Sequence, residues 1–231
     1  GLSGIFILRQ PDYKRMLAYS SVEHVGILAT GIGLGGSAVA GAMLHAICHS
    51  LVKSSLFLLS GNILSAYATK KVEKIKGLLK TMPFTGWLWL AGFLAITGTP
   101  PFGTFVSEFA ILRSALMTRS WVTAVLYLFF LLLVFIGMLT IFMQMTLGKR
   151  PDKNDLPEGE EGCHAHSEAT THDKKGKTAH GSSLVEFSED LLQLITPIVF
   201  LSLALCLGCY LPGFVRAAIN GAAMLLGGKV L

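Results

Sequence analysis

Val39-Ala-Gly-Ala-Met-Leu-His45-Ala-Ile-Cys-His49-Ser-Leu-Val-Lys53-Ser-Ser-Leu-Phe-Leu-Leu-Ser60 decides the fold. It is apolar apart from three ionisable residues and small hydroxyls, and it exceeds the roughly 20 residues a helix needs to cross a bilayer. Charge-capable groups at that depth are costly, and by default they mark an ion or proton path. Their i, i+4, i+8 spacing puts all three on one helix face over about 12 Å of axis, so a proton is expected to pass along that face.

The whole chain agrees with a membrane environment. Of its 231 residues, 52% are hydrophobic and only 14% charged, against about 25% charged in ordinary soluble domains. The net charge of +5 comes largely from short basic connections such as Lys70, Lys71, Lys74, Lys76 and Lys80. Such clusters are typical of cytoplasmic loops and argue against a nucleic-acid surface. The four cysteines suggest no disulfide framework.

Windows of about 20 apolar residues give the organisation. Spans are expected at 16–36, 39–67, 84–99, 121–147 and 191–211. A shorter piece at 102–117 follows Pro100-Pro101 and forms either a crossing or a half-helix. The fold class is therefore all-α, a polytopic transmembrane bundle of five or six spans including one Pro/Gly-broken helix. Residues 1–147 form the main membrane unit, 148–187 a polar His-rich loop, and 188–231 a final span and tail. The tail past Pro212 is expected to lie at the interface. Gly1-Leu-Ser-Gly-Ile-Phe-Ile-Leu8 lacks an initiator Met and resembles the end of a helix, so the sequence is expected to be part of a longer protein. Lys14-Arg15 and the 70–80 cluster should share one side of the membrane, the cytoplasmic one. The side of the 148–187 loop depends on the crossing count.

Chemistry must come from the few ionisable groups within the spans. Lys53 lies mid-segment, where an amine cannot snorkel to water. Glu108 follows Gly98-Thr-Pro-Pro-Phe-Gly-Thr-Phe-Val-Ser, whose interruptions free backbone groups that must be satisfied inside the protein. Broken helices of this kind flank ion and substrate sites. Glu23 and His24, two turns inside the first span, are expected to pair with a neighbouring helix. Asp12, Lys14 and Arg15 anchor that helix at its start.

Three tempting patterns carry less. Gly31-Ile-Gly33-Leu-Gly-Gly36 spells GxGxxG, but no acidic residue follows before Glu73 to hold a ribose, so close packing at Gly31 and a turn at Gly35 are expected instead. Cys206-Leu-Gly-Cys209 has no partner pair and sits among leucines, as packing residues do. Cys163, His164, His166, His172 and His180 match no closed metal site and read as a solvated loop that binds Zn or Ni only adventitiously.

Asp12-Tyr-Lys14-Arg15-Met-Leu-Ala-Tyr-Ser, His45-x3-His49-x3-Lys53 and Thr99-Pro-Pro-Phe-Gly-x-Phe-x-Ser-Glu108, in this order, resemble the signatures of a known superfamily. It comprises the antiporter-like membrane subunits of respiratory complex I, cation/proton antiporters and membrane-bound [NiFe] hydrogenases. The variant with Tyr13, Glu23-His24 and Glu108 most resembles the branch of hydrogenase-4 component F, with complex I subunits of types M and N next. The likeness covers roughly 5–147.

The resemblance implies that Lys53 is the central protonatable amine, that His45 and His49 form the link to it, and that Glu108 is the terminal carboxylate. Asp12, Lys14, Glu23 and His24 take secondary places. It also implies the second of two half-channels, with the first repeat lying outside this sequence. The expected function is a proton-translocating subunit of a redox-driven complex in a prokaryotic inner membrane. Other membrane subunits and a peripheral redox arm are its expected partners. No metal and no cofactor is expected on the chain itself, since flavin, iron-sulfur, nickel and quinone sites belong to those partners. A stand-alone cation/proton antiporter and a purely structural subunit are the alternatives.

Overall fold

The structure, a computed structural model, describes residues 1–147 and 191–228. The expected loop at 148–187, with its Cys and His cluster, lies outside the described residues. Those described form helices α1 (Leu2–Ile7), α2 (Tyr13–Leu34), α3 (Ser37–Tyr67), α4 (Leu78–Thr81), α5 (Pro83–Ile96), α6 (Gly103–Met117), α7 (Trp121–Thr146), α8 (Leu191–Cys209) and α9 (Gly213–Leu225), with a 3₁₀ turn at Val72–Lys74. Among them there is no strand, only two isolated backbone bridges.

Helix α3 is the hub, with α2, α5, α6, α8 and α9 packed around it. Its core face carries Val52, Leu56, Leu59 and Ile63, all fully buried. Trp89 and Phe93 of α5 stack with Phe142 of α7 at ring-centroid distances of 4.6 and 4.9 Å.

Among the described residues, three helices, α3, α7 and the Leu192–Cys209 part of α8, are long and apolar enough to cross a membrane. The other expected crossings fall on helices that are shorter or more polar. Helix α2 has 22 residues, but Lys14, Arg15 and Glu23 lie within it. Helices α5 and α6, with 14 and 15 residues, span only about 21–23 Å each, short of the ~30 Å hydrocarbon core. They are the two limbs of the broken helix. The fold class stands as an all-α transmembrane bundle. Outward-facing residues of α7, Val122, Val125, Leu128, Leu132 and Ile136, are exposed and recur every three or four positions, as a lipid-facing stripe does.

Local chemistry sets the helix ends. The Asp12 carboxylate caps α2 by accepting from the backbone N–H groups of Lys14 and Arg15 at 2.9 and 3.2 Å. The two basic segments meet at this end, where Tyr13 N–H donates to Lys70 O and Val72 N–H to Pro11 O. They therefore share a side, as expected. The GxGxxG stretch is helical through Leu34, and the turn falls at Gly35 and Gly36, with φ of +68° and +57°. At Gly31 an added Cβ would lie 2.9 Å from Ala42 Cβ, so glycine here lets α2 and α3 approach closely. Cys206 and Cys209 are free and exposed on α8, not packed inside the bundle as expected. Helix α9 packs Ile219 and Ala223 against Val39, Ala40 and Leu44 of α3.

Candidate functional site

Three helices bring the buried ionisable groups together: α2 supplies Glu23 and His24, α3 supplies His45, His49 and Lys53, and α6 supplies Glu108. Lys53 and His45 are buried, as are Glu23, His24 and Glu108. Each needs partners, because an isolated buried charge is prohibitively costly.

Lys53 finds them on α2. Its ammonium donates to Leu17 O at 2.6 Å and, more closely still, to Ser20 Oγ. Its sequence neighbour Ser55 turns away and donates to Pro197 O of α8 at 3.1 Å.

The histidines of α3 do not form a row by themselves. His45 and His49 stand with ring centroids 6.2 Å apart, and His24 of α2 sits between them, 5.1 Å from His45 and 4.6 Å from His49. His24 Nδ1 lies 3.0 Å from His45 Nε2, and His45 Nδ1 lies 2.9 Å from Ser107 Oγ on α6. Proton positions follow from the network. The Ser107 hydroxyl donates to Thr104 O at 2.7 Å, so it accepts from His45 Nδ1–H. His45 Nε2 is then a bare lone pair that accepts from His24 Nδ1–H. The other ring nitrogen, His24 Nε2, lies 3.5 Å from Glu23 Oε2, where a single proton can be shared between imidazole and carboxylate.

Glu108 completes the cluster. A donor atom from each of His24, His45 and Glu108 lies within 4.8 Å of the others, a gap one bridging water can span. Glu108 sits under the helix break because Gly98 has φ of +64° and no Cβ, and its carboxylate occupies the place a Cβ would take. Among the described residues, Glu108 Oε1, His49 Nε2 and Tyr127 Oη are buried without a hydrogen-bond partner. Glu108 and Tyr127 line a cavity of about 320 Å³ with Thr97, Phe105 and Phe109, between α6 and α7. Tyr127 also lines a second cavity, about 330 Å³, into which Glu23 faces.

The structure thus brings Lys53, His45, His49 and Glu108 into one cluster, with His24 between the two α3 histidines and Glu23 beside it. Asp12 and Lys14 stand apart, at the α2 cap. Sequence reasoning missed Ser20, Ser107 and Tyr127. Serine next to Glu108 was visible, but nothing local marks which serine faces a histidine on another helix.

The family profile of the NADH:quinone oxidoreductase/Mrp antiporter transmembrane region matches residues 2–144. The chain is 41% identical over 114 residues to a hydrogenase-4 component F homolog of Methylacidiphilum infernorum, covering 49% of the chain and 24% of that protein. It is 32% identical over 142 residues to a Na(+)/H(+) antiporter subunit of Alkalihalophilus pseudofirmus, covering 61% of the chain and 29% of that protein. Among solved structures, the Mrp complex from Dietzia sp. DQ12-45-1b matches with a TM-score of 0.77 and 25% identity over 98% of the chain and 45% of its own. Respiratory complex I from Thermus thermophilus shares the fold, with a TM-score of 0.72 and 22% identity, covering 97% and 41%. The chain therefore spans 24% and 29% of these curated relatives and under half of the matched structures.

Proposed function

The chain belongs to the NADH:quinone oxidoreductase/Mrp antiporter transmembrane family, and from that premise we propose that it forms part of the proton-translocating membrane subunit of a redox-driven complex of the NADH-quinone oxidoreductase or hydrogenase type. One observation carries this function: ionisable groups from three helices converge in one cluster, with Lys53 on Ser20, His49 packed at 4.6 Å against the His24 ring, His24 on His45, His45 on Ser107, and Glu108 within 4.8 Å of both His24 and His45. A purely structural bundle has no use for five such groups in its interior, where each is costly.

In this mechanism Lys53 is the central proton carrier. Its charge is held by a carbonyl and a hydroxyl, so the amine can give up a proton without breaking an ion pair. His49 lies one turn away on the same helix. His24, bridging to His45, hands the proton across from α2 to α3. His45, oriented by Ser107, faces Glu108, which stores it beside the helix break. Electron transfer takes place in partner subunits, and the membrane is a prokaryotic inner membrane.

Lys53→Ala and Glu108→Gln in the full-length protein, in its native membranes, test this. Proton pumping should fall to background while the complex still assembles and electron transfer continues. Unchanged pumping in both variants would sink the proposal. The likeness to a Na(+)/H(+) antiporter subunit favours a second function, a secondary cation/proton antiporter using the same residues. Proton efflux driven by a sodium gradient, in vesicles without an electron donor, separates the two.

A further inference from the structure

The same three helices converge on a set of donors that suits a transition-type metal ion. The inner ring nitrogens of His24 and His45, Nδ1 and Nε2, face each other at 3.0 Å. Two imidazoles on one tetrahedral zinc-class ion, at about 2.0–2.1 Å from it, hold their nitrogens about 3.3 Å apart. The third donor is Glu108, within 4.8 Å of both, with Oε1 buried and unpartnered among the described residues.

The outer atoms are arranged as metal ligands require. A ligating histidine donates its other N–H to a carboxylate or hydroxyl, which fixes ring orientation and tautomer. His24 Nε2 faces the Glu23 carboxylate at 3.5 Å, and His45 Nδ1 donates to Ser107 Oγ at 2.9 Å. Two imidazoles and one carboxylate make a borderline donor set, matched to Zn²⁺ and its neighbours and not to Ca²⁺ or Mg²⁺, which take oxygens. His24 and Glu108 share a pocket of about 10 Å³, and Glu108 also lines the cavity of about 320 Å³, from which a water can supply the fourth ligand.

We propose that His24, His45 and Glu108 bind a divalent cation of the zinc class, and that its presence stops proton transfer. The ion takes the lone pair of His45 Nε2 and that of His24 Nδ1. The proton leaving His24 Nδ1 moves to Nε2, opposite Glu23. The hydrogen bond between the two rings is thereby replaced by two metal–nitrogen bonds, and no proton can cross from His24 to His45. The binding itself stands on geometry alone; the block rests on the proton path proposed above.

Zinc alone is the probe, with the full-length protein in its complex. Cys163→Ser with His164→Ala, His166→Ala, His172→Ala and His180→Ala forms the background, removing the donors expected to bind zinc adventitiously. Against this background, His24→Ala should bind one Zn²⁺ fewer per chain, and Ser107→Ala should weaken binding by about 10–100-fold. The zinc absorption edge should show two imidazole nitrogens and an oxygen at about 2.0–2.1 Å. Zinc should stop pumping in the background protein. Lys53→Ala, which keeps every ligand, should bind zinc as the background does. If His24→Ala and Glu108→Gln bind as much zinc as the background, or if the background binds none, the metal site is wrong. Pumping that survives Lys53→Ala while zinc binding is lost in His24→Ala overturns the proton path and leaves the site standing.

Discussion

Lys53 sits on α3 but is held by α2. Its partners Leu17 O and Ser20 Oγ lie more than thirty residues away in sequence, and a hydrogen bond to a charged group contributes about 1.5–3 kcal/mol. Removing the hydroxyl should therefore disturb the amine without emptying the site. Ser20→Ala is expected to slow proton translocation about tenfold, the factor that about 1.4 kcal/mol represents, and Ser20→Thr should restore most of it. Equal rates in wild type and Ser20→Ala would show that the contact does not matter. Tyrosines give a contrast in stability. Among the described residues Tyr127 Oη is buried with no partner, whereas Tyr67 Oη meets Thr81 Oγ1 at 2.6 Å. Deleting an unpartnered buried hydroxyl removes a desolvation cost of about 1–3 kcal/mol. In thermal unfolding in detergent, Tyr127→Phe should leave the midpoint unchanged or raised, and Tyr67→Phe should lower it.

At the scale of the element, the break between α5 and α6 is what brings a carboxylate inside. The turn at 97–102 is held by Thr99 N–H to Leu94 O and Phe102 N–H to Thr99 O, both at 3.1 Å. Gly98 supplies the left-handed φ and the space for Glu108. Gly98→Ala adds a methyl where the carboxylate lies and strains the backbone, each destabilising. It should depress pumping as Glu108→Gln does, while Lys53 and Ser20 remain in place. A Gly98→Ala variant with full pumping and an unaltered unfolding midpoint would contradict this account of the break. The break and the carboxylate were both legible in the chain, since Pro100, Pro101 and two glycines interrupt an apolar run. That Glu108 folds back beneath Gly98 was not, because it depends on the direction α6 takes after the turn.

At the scale of the molecule, an exposed apolar face and a cluster of ionisable groups within an otherwise apolar core set the bundle apart from a soluble domain. Helix α7 exposes an apolar stripe, and the ionisable groups cluster around α3. Ile136 is 49% exposed near the middle of α7 and lines none of the cavities described above, so Ile136→Arg places a guanidinium on the exposed apolar face. Translocon scales put that cost at about 2.5–3.5 kcal/mol. Membrane insertion of α7 in a translocation assay should fall accordingly, and Ile136→Phe should insert normally.

The sequence by itself determined the helices, their membrane setting and the identity of the ionisable groups, because apolar length and helical period are local properties. Composition alone marked Lys53, His45, His49 and Glu108 as out of place. It also placed Lys14-Arg15 and the 70–80 cluster on one side, as the backbone bonds from Tyr13 and Val72 show. Only the tertiary structure decided who meets whom. Lys53 pairs with Ser20 and not with Ser54 or Ser55, His24 stands between His45 and His49, and Ser107 orients His45. These pairings depend on how closely α2 and α6 approach α3 and at what height, which small residues such as Gly31 permit but do not encode locally.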